Sequence, residues 1–136
     1  MRQVFDSFAG IDSFLIYLTV SVTYLAVFVV LYIRVTPYRE IELIRGGNMA
    51  AAFSLSGSIL GFVVPLAAAI QHSVSLVDMA IWGLIAMLVQ IAAFIVAKLL
   101  IPSITDDIPA NKTSAGFFLG CLSLGVGLLN AACMSY

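Results

Sequence analysis

Four apolar runs dominate this chain, and each is long enough to cross a lipid bilayer as a helix. They cover residues 13–33, 49–70, 79–101 and 113–134. A hydrocarbon layer of about 30 Å needs about 20 apolar residues at 1.5 Å each. None of the four contains Asp, Glu, Arg or His, and Lys98, near the end of the third, can reach the headgroups with its stem in lipid. Charged residues make up 10% of the chain, far below the roughly 25% of a soluble domain. The fold class that follows is an all-α membrane protein with four transmembrane helices. The first run ends in Arg34 without a small-x-small cleavage site and exceeds the core of a signal peptide, so a retained span is expected.

The second and fourth runs carry residues that weaken helices in water. Ala50, Ser54, Gly57, Gly61, Pro65 and Ala68 recur at helical spacing along one, and Thr113, Gly116, Gly120, Ser123, Gly127 and Asn130 along the other. Lipid tails are already apolar, so helices associate there by close packing, which small residues permit. Both runs contain G-x-x-x-G, at Gly57/Gly61 and Gly116/Gly120. Gly57, Gly61, Pro65, Gly116, Gly120 and Gly127 are therefore the expected helix-packing positions. Packing within one bundle, an oligomer interface and a lined pore all remain open. The bulkier first run places Tyr17, Tyr24 and Tyr32 on one side, and Trp82 sits near an end of the third, where an interfacial ring is favoured. These two helices are expected to flank the small-faced pair.

Shifting the sequence by 63 positions lays Asn48 on Asn111, Ala52 on Ala115, Gly57 on Gly120, Val63 on Val126, and Leu66, Ala68 and Ala69 on Leu129, Ala131 and Ala132. This suggests two tandem two-helix repeats, residues 1–73 and 74–136. An even number of spans per copy inserts both the same way round, as a parallel repeat.

Basic residues set the orientation. Arg34, Arg39, Arg45, Lys98 and Lys112 fall on one side and Arg2 on the other. The positive-inside rule then puts both termini outside the cell and both longer connections in the cytoplasm. Within the first connection, Thr36 can cap a helix that starts at Pro37 and ends at Gly46. Such a helix would turn Tyr38, Ile41 and Ile44 one way and Arg39, Glu40 and Glu42 elsewhere; the alternative is a solvated turn. Arg39, Glu42 and Arg45 are the candidate contacts for a cytoplasmic partner.

The stretch "TPYREIELIRGGNMAAAFSLSGSILGFVVPLAAAI" and the terminal "GLLNAACMSY" resemble the YjfL-like inner-membrane proteins of bacteria, the family defined by domain of unknown function 350. The resemblance covers nearly the whole chain. It implies two copies of a short two-span domain in the bacterial inner membrane, and a peripheral membrane-maintenance protein of the phage-shock type as a partner. No activity is assigned to the family, so it supplies no catalytic residue.

Chemistry-bearing residues are sparse. Gln90 in the third span and Asn130 in the fourth are the candidate polar intramembrane groups, either as bonds between helices or as the lining of a path. Ser54, Ser56 and Ser58 have no base in their span to activate them. His72 and Asp78 bracket an outer loop and make a poor metal site. Cys121 and Cys133 are about 18 Å apart along one helix, too far to bridge within it. No catalytic site, metal site, cofactor or nucleic-acid partner is expected, and net charge is −1. The function expected is an oligomeric structural or scaffolding component of the membrane that docks a cytoplasmic or peripheral partner. A passive oligomeric channel lined by Ser123, Asn130 and Gln90 is the alternative.

Overall fold

The computed structural model describes residues 1–134 and contains six helices. They are α1 (Arg2–Val35), α2 (Glu40–Arg45), α3 (Met49–His72), α4 (Leu76–Leu100), α5 (Ile104–Asp107) and α6 (Thr113–Cys133). No strand occurs among the described residues. Helices α1, α3, α4 and α6 are the four membrane-spanning segments, with mean hydropathies of 2.4, 1.9, 2.4 and 1.8 over their most apolar stretches. Ser135 and Tyr136, the last two letters of the C-terminal motif, lie outside the described residues.

Three of the spans begin and end close to their expected bounds. The first does not: α1 starts at Arg2, well before residue 13. Asp6 and Asp12 end the apolar run but do not oppose helix formation. At 34 residues the helix is about 51 Å long, so it extends beyond the hydrocarbon layer. Only Phe28 and Tyr32 of α1 are buried, both near its C-terminal end.

The centre of the bundle is the α3–α6 pair. A Cβ placed on Gly116 would run into the backbone of Ala50, one on Gly57 into Gly120, and one on Gly127 into Gly61. The pairs ascend together along both chains, so α3 and α6 run side by side in the same direction. Main chain lies on main chain along this seam, which only glycine permits on at least one side of each contact. Thr113, at the start of the expected α6 face, is exposed, and Ala68 on α3 is half-buried.

α4 packs across this pair through Gln90, with Ala86, Ala93 and Ala97 buried along the same helix, while its Gly83 lies against the Tyr24 ring of α1. α1 then closes one side through aromatic contacts. Phe28 stacks on Phe62 of α3 at 4.5 Å between ring centroids. Tyr32 meets Phe94 of α4 edge-on at 5.8 Å, and the Tyr24 hydroxyl donates to the Ala80 carbonyl at 2.6 Å. Tyr17, Tyr24 and Tyr32 all face the bundle, as their spacing predicts.

The first connection departs from expectation. Pro37 forces the preceding residue out of helical backbone, and Thr36 is extended, with ψ 136°, as the C-cap of α1. Thr36 therefore ends one helix rather than starting another. α2 begins only at Glu40, and its end at Gly46 is as expected. Gly47 follows at φ 86°, a left-handed turn that lets the Asn48 N–H return to the Leu43 carbonyl at 2.9 Å. The stretch from Thr36 to Glu40 is thus extended at its start, and its burial alternates: Thr36, Tyr38 and Glu40 are buried, Pro37 and Arg39 exposed. Glu40, expected to point away from Tyr38, lies inside with it, whereas Ile41, expected on the Tyr38 side, is 42% exposed.

Candidate functional site

Pro65 creates the first feature of the polar interior. Proline has no N–H, so the carbonyl four residues earlier, on Gly61, loses its helical donor. Gln90 of α4 supplies the replacement: its Nε2 donates to the Gly61 carbonyl at 2.9 Å and to the Ser123 carbonyl at 3.1 Å. One buried amide therefore ties α4 to both α3 and α6. One turn towards α2, the Ser58 hydroxyl donates to the Ser123 hydroxyl at 3.3 Å, adding a polar bond across the glycine seam. Gln90 Oε1 is buried without a partner.

Two asparagines organise the loop end of the seam. Asn48 accepts from the Ala51 N–H at 2.8 Å, capping α3, and donates to the Ile108 carbonyl at 2.9 Å. Asn111 stands at φ 59°, a left-handed conformation that asparagine tolerates better than most residues. Its Oδ1 accepts from the Met49 and Ala50 N–H groups at 2.9 and 3.2 Å.

A third cluster, at the α2 end, was not legible as a site. The Glu40 side chain is fully buried, and neither carboxylate oxygen has a well-formed hydrogen bond. Tyr38 and Tyr32 are buried beside it, and their hydroxyls are also unpartnered. Ser54 lies next to the Tyr38 hydroxyl and Ser58 next to that of Tyr32. Burial pushes the Glu40 carboxyl up to about 8, and the nearby Thr36 and Tyr38 hydroxyls offset part of the rise. The Tyr38 phenol is raised as well, by burial and by the negative charge available to Tyr32 and Glu40. The signal that could have located this cluster is the period-two alternation Thr36–Tyr38–Glu40, which an assumed helix from Pro37 conceals.

The remaining expected residues are placed as follows. Arg39 and Glu42 form an exposed ion pair at 3.3 Å, and Arg45 is exposed at the end of α2. Half-buried Asn130 keeps a buried, unpartnered Nδ2. Asp78 is engaged in the α4 cap, where it accepts from the Val74 N–H at 3.2 Å. Cys121 and Cys133 are exposed free thiols. No group of three or more metal-ligating side chains occurs among the described residues.

The DUF350 family, described as Domain of Unknown Function (DUF350), matches residues 6–134. The chain is 36% identical over 124 residues to the UPF0719 inner membrane protein YjfL of Escherichia coli strain K12, covering 91% of this chain and 94% of that protein. It is 30% identical over 122 residues to the UPF0719 transmembrane protein YshE of Bacillus subtilis strain 168, covering 85% and 88%. No solved structure matches the chain. A match along almost the whole length, joined to four membrane-spanning helices, makes this chain a multi-pass membrane protein that belongs to the DUF350 family of YjfL-like proteins.

Proposed function

We propose that the chain is a non-catalytic scaffold of the bacterial inner membrane. It assembles with copies of itself and presents the α2 segment to a cytoplasmic or peripheral partner. The observation that carries this reading is the α3–α6 seam. Backbone packs on backbone from Ala50 to Gly127, and Gln90 and Ser123, the polar groups at its centre, bond to neighbouring helices of the same chain. That arrangement suits a rigid membrane element. A passive channel would need those groups to face water, and it retains only Asn130 as a lining residue.

The seam also supports reading the chain as two parallel repeats, because Gly57 and its counterpart Gly120 face one another. With the basic connections in the cytoplasm, both termini lie in the periplasm, and Arg39, Glu42 and Arg45 are within reach of a soluble protein. The family resemblance points to a membrane-maintenance protein of phage-shock type.

The test is extraction into native-like lipid discs, followed by mass measurement of the intact assembly and its companions. An oligomer that retains a companion, and loses it when Arg39, Glu42 and Arg45 are all replaced by alanine, is expected. A lone monomer with no companion would refute the scaffold. Cysteine labelling that finds either terminus inside the cell would refute the orientation.

A further inference from the structure

We propose that Glu40 is a buried proton-binding site at the α2 end of the bundle, occupied while α2 is docked and emptied when α2 leaves it. The site itself stands on the geometry around one carboxyl, independently of the scaffold reading.

Glu40 is 0% exposed. Arg39, the neighbouring cation, turns outward to Glu42, and Arg34 and Arg45 are exposed. An isolated buried carboxylate is strongly disfavoured, and in practice such a group keeps its proton.

The surrounding hydroxyls offset this only in part. Ser54 directs its proton to the Ala51 carbonyl at 3.0 Å, and Ser58 directs its own to Ser123. With both serine protons committed there, the adjacent Tyr38 and Tyr32 hydroxyls are left without a hydrogen-bond partner. Neither Glu40 oxygen has a well-formed donor. A buried carboxylate without a donor is disfavoured, whereas the carboxylic acid carries its own O–H to offer to a neighbouring hydroxyl oxygen. The titratable groups facing Glu40 are Tyr32 from α1 and Tyr38 from the connection. The connection also brings the Thr36 hydroxyl, α3 contributes the hydroxyls of Ser54 and Ser58, and the Phe94 ring of α4 packs on Tyr32. None of the groups acting on the carboxyl is a cation.

A cleft of about 330 Å³ lined by Thr36, Tyr38, Arg39, Glu40 and Glu42 lies beside the buried carboxyl. Release of the proton is a simple dissociation. The carboxyl O–H bond breaks, its electron pair stays on Glu40, and the proton passes to water in the cleft. The anion left behind has no counter-charge, so α2 lifts away to hydrate it. Glu42 and Arg45 ride on the same helix, so occupancy of the site controls how they are presented to a partner. This last consequence rests on the docking reading above.

The test uses the full chain in lipid discs. Infrared titration is expected to show a protonated-carboxyl band at neutral pH that disappears as pH rises through about 8 and is missing in Glu40→Gln. Hydrogen exchange across residues 36–46, compared with Glu40→Gln at each pH, is expected to accelerate above that midpoint in the parent alone. Should Glu40→Gln fail to fold, Tyr38→Phe provides the second variant. It removes a hydroxyl that favours the anion, so the midpoint is expected to move up. Absence of the band at neutral pH, or a band unchanged by Glu40→Gln, would overturn the site. So would a midpoint that moves when sodium replaces a bulky organic cation, since a metal ion would then be the ligand. If the band behaves as expected but companion binding ignores pH, the docking reading fails and the proton site stands.

Discussion

Asn48 and Asn111 converge on one helix terminus: between them they accept from the N–H groups of Met49, Ala50 and Ala51, three of the open amides at the start of α3. The two caps differ in what else they support. Asn48 also donates to the Ile108 carbonyl and is buried, so Asn48→Ala removes a cap and leaves a buried carbonyl without its donor. A loss of about 2 kcal/mol is expected from the cap and the bond together. Asn111 holds a left-handed backbone, so Asn111→Ala loses the cap and adds strain of about 1 kcal/mol, whereas Asn111→Gly loses the cap alone. Denaturant titration in mixed micelles should rank Asn111→Gly above Asn111→Ala in stability. Equal values would show that the turn carries no strain.

Gly57 and Gly120 should tolerate no side chain. A methyl on either meets backbone of the facing helix, and backbone cannot rotate away as a side chain can. Gly57→Ala and Gly120→Ala are each expected to cost about 1–3 kcal/mol and to separate α3 from α6. Gly125 is the internal control: nothing lies within 4 Å of the position its Cβ would take, so Gly125→Ala should be neutral or slightly stabilising. The same micelle titration checks all three, and a Gly57→Ala protein as stable as Gly125→Ala would contradict the seam.

Gln90 and Pro65 are coupled through the Gly61 carbonyl, although they never need to touch. Gln90→Leu strands that carbonyl and should cost about 1–2 kcal/mol. Pro65→Ala restores an N–H at the position from which a helix normally satisfies Gly61. The Gln90→Leu change is therefore expected to cost less in a Pro65→Ala background. A double-mutant cycle measures the difference, and strict additivity would mean that Gln90 serves only the Ser123 carbonyl.

Much of this architecture was legible in the letters. The four spans follow from apolar length, and the glycine seam follows from small residues at helical spacing, because lipid leaves close packing as the main attraction between helices. Gln90 was identifiable as a bond between helices, but its partner was not: the link to Pro65 depends on the rotation of α4 against α3, which no local pattern records. The early start of α1 was hidden because Asp6 and Asp12 mark the end of lipid burial rather than the end of a helix. Glu40 was missed for a different reason. A helical period applied from Pro37 places it outward, whereas extended backbone with period two carries it inside.

The pH dependence of stability gives the last prediction. In water the Glu40 carboxyl has its ordinary value of 4.5, and in the bundle it rises to about 8. The folded chain therefore holds a proton that the opened chain releases. Its stabilisation is complete below 4.5, declines as pH rises through that window, and levels off above about 8. The slope within the window is at most about 1.4 kcal/mol per pH unit. Asp107 acts in the opposite sense. Ser103 and Lys112 hold its carboxyl below the usual 3.8, so its contribution fades only in more acidic solution and does not overlap. Melting temperature in lipid discs should thus fall from mildly acidic to mildly alkaline pH for the parent chain. Glu40→Gln, neutral at every pH, should flatten the profile. A parent profile that rises over this interval would mean that Glu40 is ionised in the folded bundle, with a cation beside it.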